Sequence, residues 1–391
     1  MSIFSKKKLK YFSFIVILIL LFSELLVRFF KPQITYTDAF KFAMNCLTKD
    51  DLLPFSLIPG FKNCSMVNQD GDFSTTANIN SLGYRGKDFL EKKVAGSKRI
   101  LVLGDSITFG IGVPDDKTYP YLLEEKLKSE KKVEVINAGY TDGFSPDSYY
   151  VYLKNMGEKL KPDIIILGFF VWNDISDISE TVWEKTDPLG LPEKVISCCR
   201  RIVDGYLQRN NINFKYQLPI LRQSHLYLTV IEELPKKFNL FQEKQGSVPK
   251  RDLLQGCVLN PSCIDNFHDE EEKTYKLLEA IDKYASWIGS KFLLVIFPVD
   301  LQYYPDRAGK YVSTWFPDPK ERDFIQNRMK KRLNSLGIKY LDLYDVFDKE
   351  KDKINPFFIH DAHLNIQGHE IAAREIANYL QSYKLLDPDK Q

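Results

Sequence analysis

The sequence predicts an α/β fold in which helices cover both faces of a parallel sheet. From residue 99 onwards, short apolar runs alternate with segments of helical spacing, as in chains that build successive β-α-β units. Several runs are apolar at every position, which is typical of strands buried on both faces. Of the 391 residues, 44% are hydrophobic and 27% are charged, so the chain has enough apolar side chains for a large core.

The apolar runs indicate five strands, and the remaining periodic segments indicate five helices. The predicted strands lie at 99–103, 133–136, 163–167, 291–297 and 338–343. The predicted helices lie at 118–130, 145–161, 269–290, 318–336 and 366–383. Ligands of such sheets bind beyond the carboxyl ends of the strands, so reactive side chains are expected just after the apolar runs.

The first 31 residues are expected to form an uncleaved membrane anchor. Four lysines precede a run without charge from Tyr11 to Ser23, and apolar residues then continue to Phe30 around Glu24 and Arg28. The two charged residues are four apart, so they can pair on one helix face. The length fits a membrane-spanning helix, while a cleaved signal peptide is the alternative. The lysines predict a cytoplasmic N-terminus, with the rest of the chain extracytoplasmic, in the periplasm or at the cell surface.

Two further segments stand apart from the alternation of strands and helices. Residues 32–95 are polar and weakly periodic, and we predict a juxtamembrane segment with a few strands. At 176–268 we predict a mostly helical insertion that packs over the strand ends, because a structureless loop of that length is improbable. The predicted domains are therefore 1–31, 32–95 and 96–385, the last with the insertion 176–268.

The cysteines and the net charge bear on the compartment and the partners. None of the six cysteines forms a Cys-x-x-Cys pair, which argues against a structural zinc site. Outside the cytoplasm, Cys257 can pair with Cys263 and Cys46 with Cys64, although unpaired buried thiols are the alternative. The formal net charge of +2 gives no reason to expect a nucleic-acid partner.

The first predicted strand ends in a glycine-bounded turn that carries a serine. The turn reads Gly-Asp-Ser-Ile-Thr-Phe-Gly from Gly104 to Gly110. Ser106 in such a turn directs its hydroxyl into the crevice above the sheet, with the N–H groups of a helix start nearby. Two alternatives stay open: Ser106 caps the helix, or the turn cradles a phosphate, although the Gly-x-x-x-x-Gly-Lys-Ser/Thr pattern is absent.

Two more loops place candidate hydrogen-bond donors at the same edge of the sheet. Gly143 follows the second strand and precedes a predicted helix, so its N–H can face the crevice. Asn173 follows the third strand, and its side-chain amide can donate to a developing oxyanion. Each also has an ordinary interpretation, Gly143 as a turn glycine and Asn173 as a loop residue that bonds its own backbone.

The loop before the last predicted helix contains a histidine that can act as a general base. Asp361 and His363 are two residues apart, and a tight turn would let the carboxylate hold the imidazole ring. We discount a metal site built from His360, His363 and His369, because no nearby carboxylate completes a recognised ligand spacing. His360 and His369 are expected to be structural, and neither a metal nor a cofactor is predicted.

Together these blocks resemble those of the SGNH (GDSL) hydrolase superfamily, over roughly residues 98–381. The Gly-Asp-Ser run is similar to the first block of that family, with Ser106 as nucleophile, and Asp361 and His363 are similar to its last block. Gly143 and Asn173 match the glycine and asparagine that form the family's oxyanion hole with the serine N–H. The resemblance implies a flavodoxin-like three-layer α/β/α sandwich, a Ser-His-Asp triad, an acyl-enzyme and no metal.

Two departures from the family pattern affect the site. Many members space the last pair Asp-x-x-His, whereas this chain has Asp361-Ala-His363, with His360 at the usual aspartate position. Membrane-anchored and O-acetyltransferase-like members often show the Asp-x-His spacing. The second block has an extra residue before Gly143, which makes Gly139 the alternative oxyanion glycine.

The predicted function is that of a membrane-anchored serine esterase that cleaves acyl esters, acetyl or short-chain, of a small molecule, lipid or glycan. A periplasmic O-acetyltransferase or deacetylase acting on cell-envelope glycan is one alternative, because hydrolysis and transfer use the same residues. A catalytically inactive, anchored binding domain is the alternative of another class.

Overall fold

The computed structural model describes residues 6–40, 43–68, 70–128, 132–141, 143–209, 214–216, 218–233, 250–311 and 321–387. The chain divides into two compact units. The smaller unit combines Met1–Ala43 with Gln208–Ser247, and the larger unit combines Met44–Leu207 with Val248–Gln391.

The strands and helices of the described residues are numbered in chain order. The strands are β1 (Leu47–Thr48), β2 (Ser56–Leu57), β3 (Cys64–Val67), β4 (Ser74–Ala77), β5 (Lys98–Gly104), β6 (Val133–Gly139), β7 (Ile164–Phe170), β8 (Thr181–Thr186), β9 (Pro192–Ser197), β10 (Arg200–Val203), β11 (Tyr206–Arg209), β12 (Lys291–Phe297) and β13 (Tyr340–Asp342). The α-helices are α1 (Lys6–Phe30), α2 (Tyr36–Phe40), α3 (Ser106–Phe109), α4 (Tyr119–Leu127), α5 (Pro146–Leu160), α6 (Asp174–Asp177), α7 (His225–Leu228), α8 (Lys250–Cys257), α9 (His268–Trp287), α10 (Phe324–Leu336), α11 (Tyr344–Glu350) and α12 (Ile366–Ser382). Short 3₁₀ turns lie at Asp115–Lys117, Ile178–Glu180, Phe214–Tyr216, Ile264–Phe267, Asp300–Gln302 and Pro305–Tyr311, and a π-helical turn lies at Thr229–Glu233.

The larger unit is built on a five-stranded sheet with the order β13-β12-β7-β5-β6. Each pair of neighbouring strands is parallel. Counted along the chain, the strands of the sheet follow the order 2-1-3-4-5, which is the flavodoxin-like arrangement. The predicted fold class and its five strands are therefore confirmed.

The helices cover the sheet on both faces. Right-handed crossovers place α4 and α12 on one face and α5, α9 and α10 on the other. The observed packing agrees, because α4 contacts α12 and α5 contacts α9. Strand β7 is buried at every position, as a strand between two helical layers should be. The helix predicted at 318–336 begins at Phe324, and the predicted residues 318–320 lie outside the described part of the chain.

Residues 44–95 share the hydrophobic core of the sheet. Buried side chains of this segment, among them Phe55, Met66 and Tyr84, belong to the same core cluster as the strands. The predicted domain limits of 1–31, 32–95 and 96–385 thus differ from the observed units. The difference arises because this segment contributes short apolar stretches between polar residues, which on their own gave no periodic signal.

The described residues of the predicted insertion contain strands as well as helices. Strand β8 pairs antiparallel with β9, and β10 forms a second two-stranded sheet with β11. In β8, Thr181 and Trp183 are half-buried and the last three residues are polar and exposed, so the apolar signal of this strand is diluted. The middle of the insertion, Gln208–Ser247, belongs to the smaller unit, and its two ends belong to the larger unit.

The smaller unit contains a helix that can cross a membrane by its length and composition. Lys7–Phe30 forms this helix, and its apolar side chains are exposed. The expected pair of Glu24 and Arg28 is present, with 3.3 Å between the carboxylate and the guanidinium. Glu24 also accepts a hydrogen bond from the Ser224 hydroxyl at 2.8 Å.

All six cysteines are paired. Cys46 bonds to Cys64 and Cys257 to Cys263, as the sequence suggested. The third disulfide joins the neighbours Cys198 and Cys199, which the sequence analysis did not pair.

Candidate active site

Three of the predicted site residues form one hydrogen-bonded chain. The hydroxyl oxygen of Ser106 lies 2.8 Å from Nε2 of His363. The Nδ1 atom on the other side of that ring contacts Oδ1 of Asp361, and the same oxygen accepts the main-chain N–H of His363 at 3.0 Å. The ring therefore bridges a serine hydroxyl and a carboxylate, as a general base must.

The short helix α3 presents Ser106 at the carboxyl end of β5. Asp105 is the N-cap of α3, and its side chain accepts the N–H of Ile107 at 2.9 Å. The capping role that was considered for Ser106 thus belongs to its neighbour. Ser106 occupies the first helical position, where its hydroxyl is available to His363.

The backbone of α3 lies directly against the end of β6. A side-chain carbon built on Gly139 would sit 2.2 Å from the N atom of Phe109 and 2.6 Å from the carbonyl carbon of Thr108. No side chain fits in that space. The N–H of Gly139 donates to Oδ1 of Asn137 at 3.0 Å, so this glycine packs against the serine turn and its N–H is occupied.

The other oxyanion candidates leave the sheet at the same level as Ser106. In the register of the sheet, Gly104 of β5 pairs with Gly139 of β6 and with Gly168 of β7. Gly143 and Asn173 follow these last two strands within a few residues. Their loops therefore start from one edge, as the sequence predicted, although their roles as oxyanion donors stay predictions.

Gly143 adopts a left-handed backbone conformation with φ of +96° and lies against Arg200. A side-chain carbon on this glycine would be 3.0 Å from a terminal nitrogen of Arg200. Within the described residues, the N–H groups of Ser106 and Gly143 donate to no protein acceptor.

The side chain of Asn173 is buried and held by a carboxylate. Its amide nitrogen donates to Oδ2 of Asp177 at 3.0 Å, and Asp177 is in turn paired with Arg251. One of the two amide protons is therefore used to orient the group. The Asn173 side chain also forms a hydrogen bond that acts on the carboxyl of Asp105.

The carboxylates of the site have different electrostatic environments. Burial raises the pKa of Asp361, but the charge of His363 and the hydrogen bonds from its ring and N–H outweigh burial and lower the pKa to about 2. Burial raises the pKa of Asp105 to about 6, although the Ile107 N–H and the charge of His363 act in the opposite direction. Burial, and next the negative charge of Asp105, raises the pKa of Asp174. Asp361 is thus ionised across the physiological range.

The two histidines set aside as structural have protein partners. His369 is buried, and its Nδ1 accepts the N–H of Tyr119 at 3.1 Å. Burial, followed by the charges of Arg85 and His363, lowers the pKa of His369 to about 3, so the ring is neutral. The half-exposed ring of His360 lies 3.1 Å from Oδ1 of Asp72. Among the described residues, no group of three His, Cys, Asp or Glu side chains is arranged to hold a metal ion.

Arg85 was not among the predicted site residues, but its buried guanidinium supports the turn that carries Ser106. It donates to the carbonyls of Phe109 and Gly110 at the end of α3, to the carbonyl of Val113, and to Asp115 at 2.9 Å. A charged residue in a polar stretch normally indicates an exposed position, so the burial of Arg85 could not be predicted from the local pattern. Asn68 and Asp72, which contact the loop of His363, were missed for the same reason.

The fold and these contacts define a class of site: a Ser-His-Asp chain at the carboxyl ends of a flavodoxin-like sheet. No family model and no curated protein matches the chain. The lipase/acylhydrolase from Enterococcus faecalis is among the similar solved structures, with 12% identity over 73% of this chain and 96% of that chain and a TM-score of 0.37.

Two further solved structures have comparable similarity. A putative lipolytic protein of the G-D-S-L family from Desulfitobacterium hafniense is 12% identical over 72% of this chain and 98% of that chain, with a TM-score of 0.35. A mutant acetyl-xylooligosaccharide esterase from Geobacillus Stearmophilus is 14% identical over 75% and 96%, with a TM-score of 0.36. Because likeness at this level does not decide an activity, we infer function from the geometry of the site.

Proposed function

We propose that the protein is a carboxylic ester hydrolase that uses a serine nucleophile and an acyl-enzyme. The observation that carries this proposal is the unbroken chain of contacts from the Ser106 hydroxyl through His363 to Asp361. Ser106 and His363 are 257 positions apart in the sequence, so chance proximity of neighbours in the chain does not explain their contact. An isolated serine hydroxyl is a weak nucleophile, and a base oriented by a carboxylate is the standard means of activating it.

In the first half of the reaction, Nε2 of His363 takes the hydroxyl proton as Ser106 Oγ bonds to the ester carbonyl carbon. The ionised Asp361 holds Nδ1 and stabilises the imidazolium. The carbonyl oxygen becomes an oxyanion, for which the N–H groups of Ser106 and Gly143 and the Asn173 amide are the proposed donors. The imidazolium then gives its proton to the leaving alcohol, and the Ser106 ester remains.

In the second half, a water molecule replaces the alcohol. His363 removes a proton from the water as its oxygen bonds to the acyl carbon. Collapse of the second oxyanion breaks the bond to Ser106 Oγ, which recovers its proton from the imidazolium. The products are a carboxylic acid and the free enzyme.

The experiment is hydrolysis of p-nitrophenyl acetate and butyrate by the full-length chain in detergent. We expect Ser106→Ala and His363→Ala to lower kcat/KM by at least about 10³-fold, because each removes a member of a unit that acts together. Fluorophosphonate should label Ser106 in the parent, as mapped by mass spectrometry, and labelling should fail in His363→Ala.

Matched controls are Ser335→Ala and His268→Ala, which change exposed residues of the larger unit. These variants should keep the parental kcat/KM. Parental activity in Ser106→Ala would show that the serine is not the nucleophile. Absence of both hydrolysis and labelling in the parent would favour the inactive binding domain instead.

We further propose that α1 anchors the chain in a membrane, with the larger unit on the extracytoplasmic side. Support comes from the length and apolar surface of the helix and from the lysines at its start. The three disulfides also support it, because disulfides persist in oxidising compartments.

A further inference from the structure

A turn outside the expected catalytic blocks contacts the loop that carries the base. We call Asn68 and residues 70–73, between β3 and β4, the hairpin turn, and residues 358–363 the acid–base loop. Antiparallel pairing of Phe357 with Leu364 and a hydrogen bond from the Phe358 N–H to the His363 carbonyl, at 3.1 Å, close the acid–base loop at its base. The tip of this loop carries His360 and Asp361, and the hairpin turn contacts both.

The first contact is made by Asn68. Its side-chain amide donates to Oδ2 of Asp361 at 3.3 Å. The other oxygen of that carboxylate, Oδ1, accepts from the ring and the N–H of His363. The two oxygens therefore have different tasks: one orients the imidazole, and the other is held by the hairpin turn. A carboxylate fixed at both oxygens cannot rotate away from the ring.

The second contact is made by Asp72, whose side chain is nearly buried. Its Oδ2 accepts the main-chain N–H of His360 at 2.7 Å, and its Oδ1 lies 3.1 Å from the ring of His360. Asp72 thus fixes the residue immediately before Asp361. A third contact, between the rings of Phe73 and Phe358 at 4.8 Å, ties the hairpin turn to the start of the acid–base loop.

The two strands of the hairpin are anchored in the core of the larger unit. Strands β3 and β4 pair in register from Cys64 with Ala77 to Val67 with Ser74. Cys64 is buried and bonded to Cys46, and Met66 and Ala77 are buried in the core of the larger unit. The hairpin turn is therefore presented from a fixed position, which a positioning element requires.

We propose that the hairpin turn belongs to the catalytic apparatus, with Asn68 as a positioning residue that holds Asp361 and, through it, the ring of His363. Asp72 positions the tip of the same loop by binding His360, the residue next to Asp361. This inference rests on the proposed serine-esterase function. It extends the hydrogen-bonded chain to four side chains: Ser106, His363, Asp361 and Asn68.

The test is a double-mutant cycle on the full-length chain. Asn68→Ala should lower kcat for p-nitrophenyl acetate by about 10-fold, the usual effect of losing a hydrogen bond to a charged group, and leave KM within about twofold. In the parental background the same change should slow the labelling of Ser106 by fluorophosphonate by a similar factor. In the Asp361→Ala background it should alter this labelling rate by less than about twofold, because the group on which Asn68 acts is absent. Thr76→Ala, an exposed change on the same hairpin, is the matched control and should have no effect.

A second measurement does not depend on turnover. The Nδ1 proton of His363, held by Asp361, should give a low-field ¹H NMR signal that disappears in His363→Ala. Asn68→Ala should shift or broaden this signal, whereas Thr76→Ala should not. If thermal unfolding shows that Asn68→Ala is unfolded, Asn68→Ser, whose hydroxyl is too short to reach Asp361, takes its place.

The outcomes separate this inference from the proposed function. Parental kcat together with a parental His363 signal in Asn68→Ala overturns the positioning role, even if Ser106 is the nucleophile. An equal loss of labelling in the presence and absence of Asp361 also overturns it, since Asn68 would then act on general stability. A parent that neither hydrolyses esters nor reacts with fluorophosphonate contradicts the esterase function, while the NMR signal still decides whether Asn68 holds Asp361.

Discussion

Replacing Asp105 by asparagine should stabilise the larger unit at neutral and alkaline pH. Asp105 is fully buried, and its Oδ1 accepts the N–H of Ile107. Asparagine at 105 keeps an acceptor for Ile107, because Asn and Asp are equally good N-caps, and it carries no charge that burial would penalise.

The size of this stabilisation follows from the pKa of Asp105. Burial raises this pKa from an ordinary 3.8 to about 6 in the folded protein. Between these two values the folded state keeps a proton that the unfolded state has lost. The free energy of unfolding therefore falls by about 1.4 kcal/mol per pH unit as the pH rises, about 3 kcal/mol in all. Asp105→Asn removes this loss. The free energy of unfolding of the variant should therefore equal that of the parent below pH 4 and exceed it by about 3 kcal/mol above pH 6.

The assay is urea denaturation of parent and variant at pH 4 and pH 8, followed by tryptophan fluorescence. Trp172, Trp183 and Trp287 lie in the larger unit, and the sequence of the smaller unit contains no tryptophan, so the signal reports the larger unit. Asp105→Asn should also lower kcat, since the negative charge of Asp105 acts on His363. A variant that is less stable than the parent at pH 8, or that keeps the parental dependence of stability on pH, would refute the reasoning.

The remaining predictions concern the support of the serine turn and the membrane anchor. Arg85→Met should lower the free energy of unfolding by about 3–5 kcal/mol in urea denaturation, because Asp115 and the carbonyls at the end of α3 lose a buried partner. Lys117→Met, at a half-exposed surface position, is the control, and an equal loss in both variants would contradict a special role for Arg85. The full chain should stay in the membrane fraction after alkaline carbonate extraction, and its larger unit should be digested by protease added from the extracytoplasmic side. Release by carbonate, or protection from that protease, would contradict the proposed anchoring or its orientation.

The sequence predicted the parts of the fold that depend on local periodicity. Each strand of the sheet is a continuous apolar run, and β7 is the clearest because it is buried throughout. The rule that reactive groups follow the carboxyl ends of parallel strands then located the turn of Ser106 and the loops of Gly143 and Asn173. These features are short-range in sequence, so patterns along the chain are sufficient to find them.

The features that the sequence did not predict depend on long-range contacts of polar residues. Asn68 meets Asp361 across 293 positions, and Arg85 reaches the carbonyl of Phe109 across 24. In the sequence, a polar residue that satisfies its hydrogen bonds inside the protein has the same kind of neighbours as a polar residue on the surface. Strands β8 and β9 were missed for a related reason, since a hairpin with an exposed polar face carries little apolar signal.

The two carboxylates that act on His363 show how the environment divides roles within one site. Asp361 has its oxygens filled by donors, so its charge is stabilised and its pKa is about 2. Asp105 is fully buried, and the hydrogen bonds and the charge of His363 offset only part of the effect of burial, so its pKa is about 6. Because only the first group is ionised at every pH at which an imidazole can act as a base, Asp361 is the group suited to fix the tautomer of the ring. Asp105 instead caps the helix that presents Ser106, at a cost in stability that grows as the pH rises.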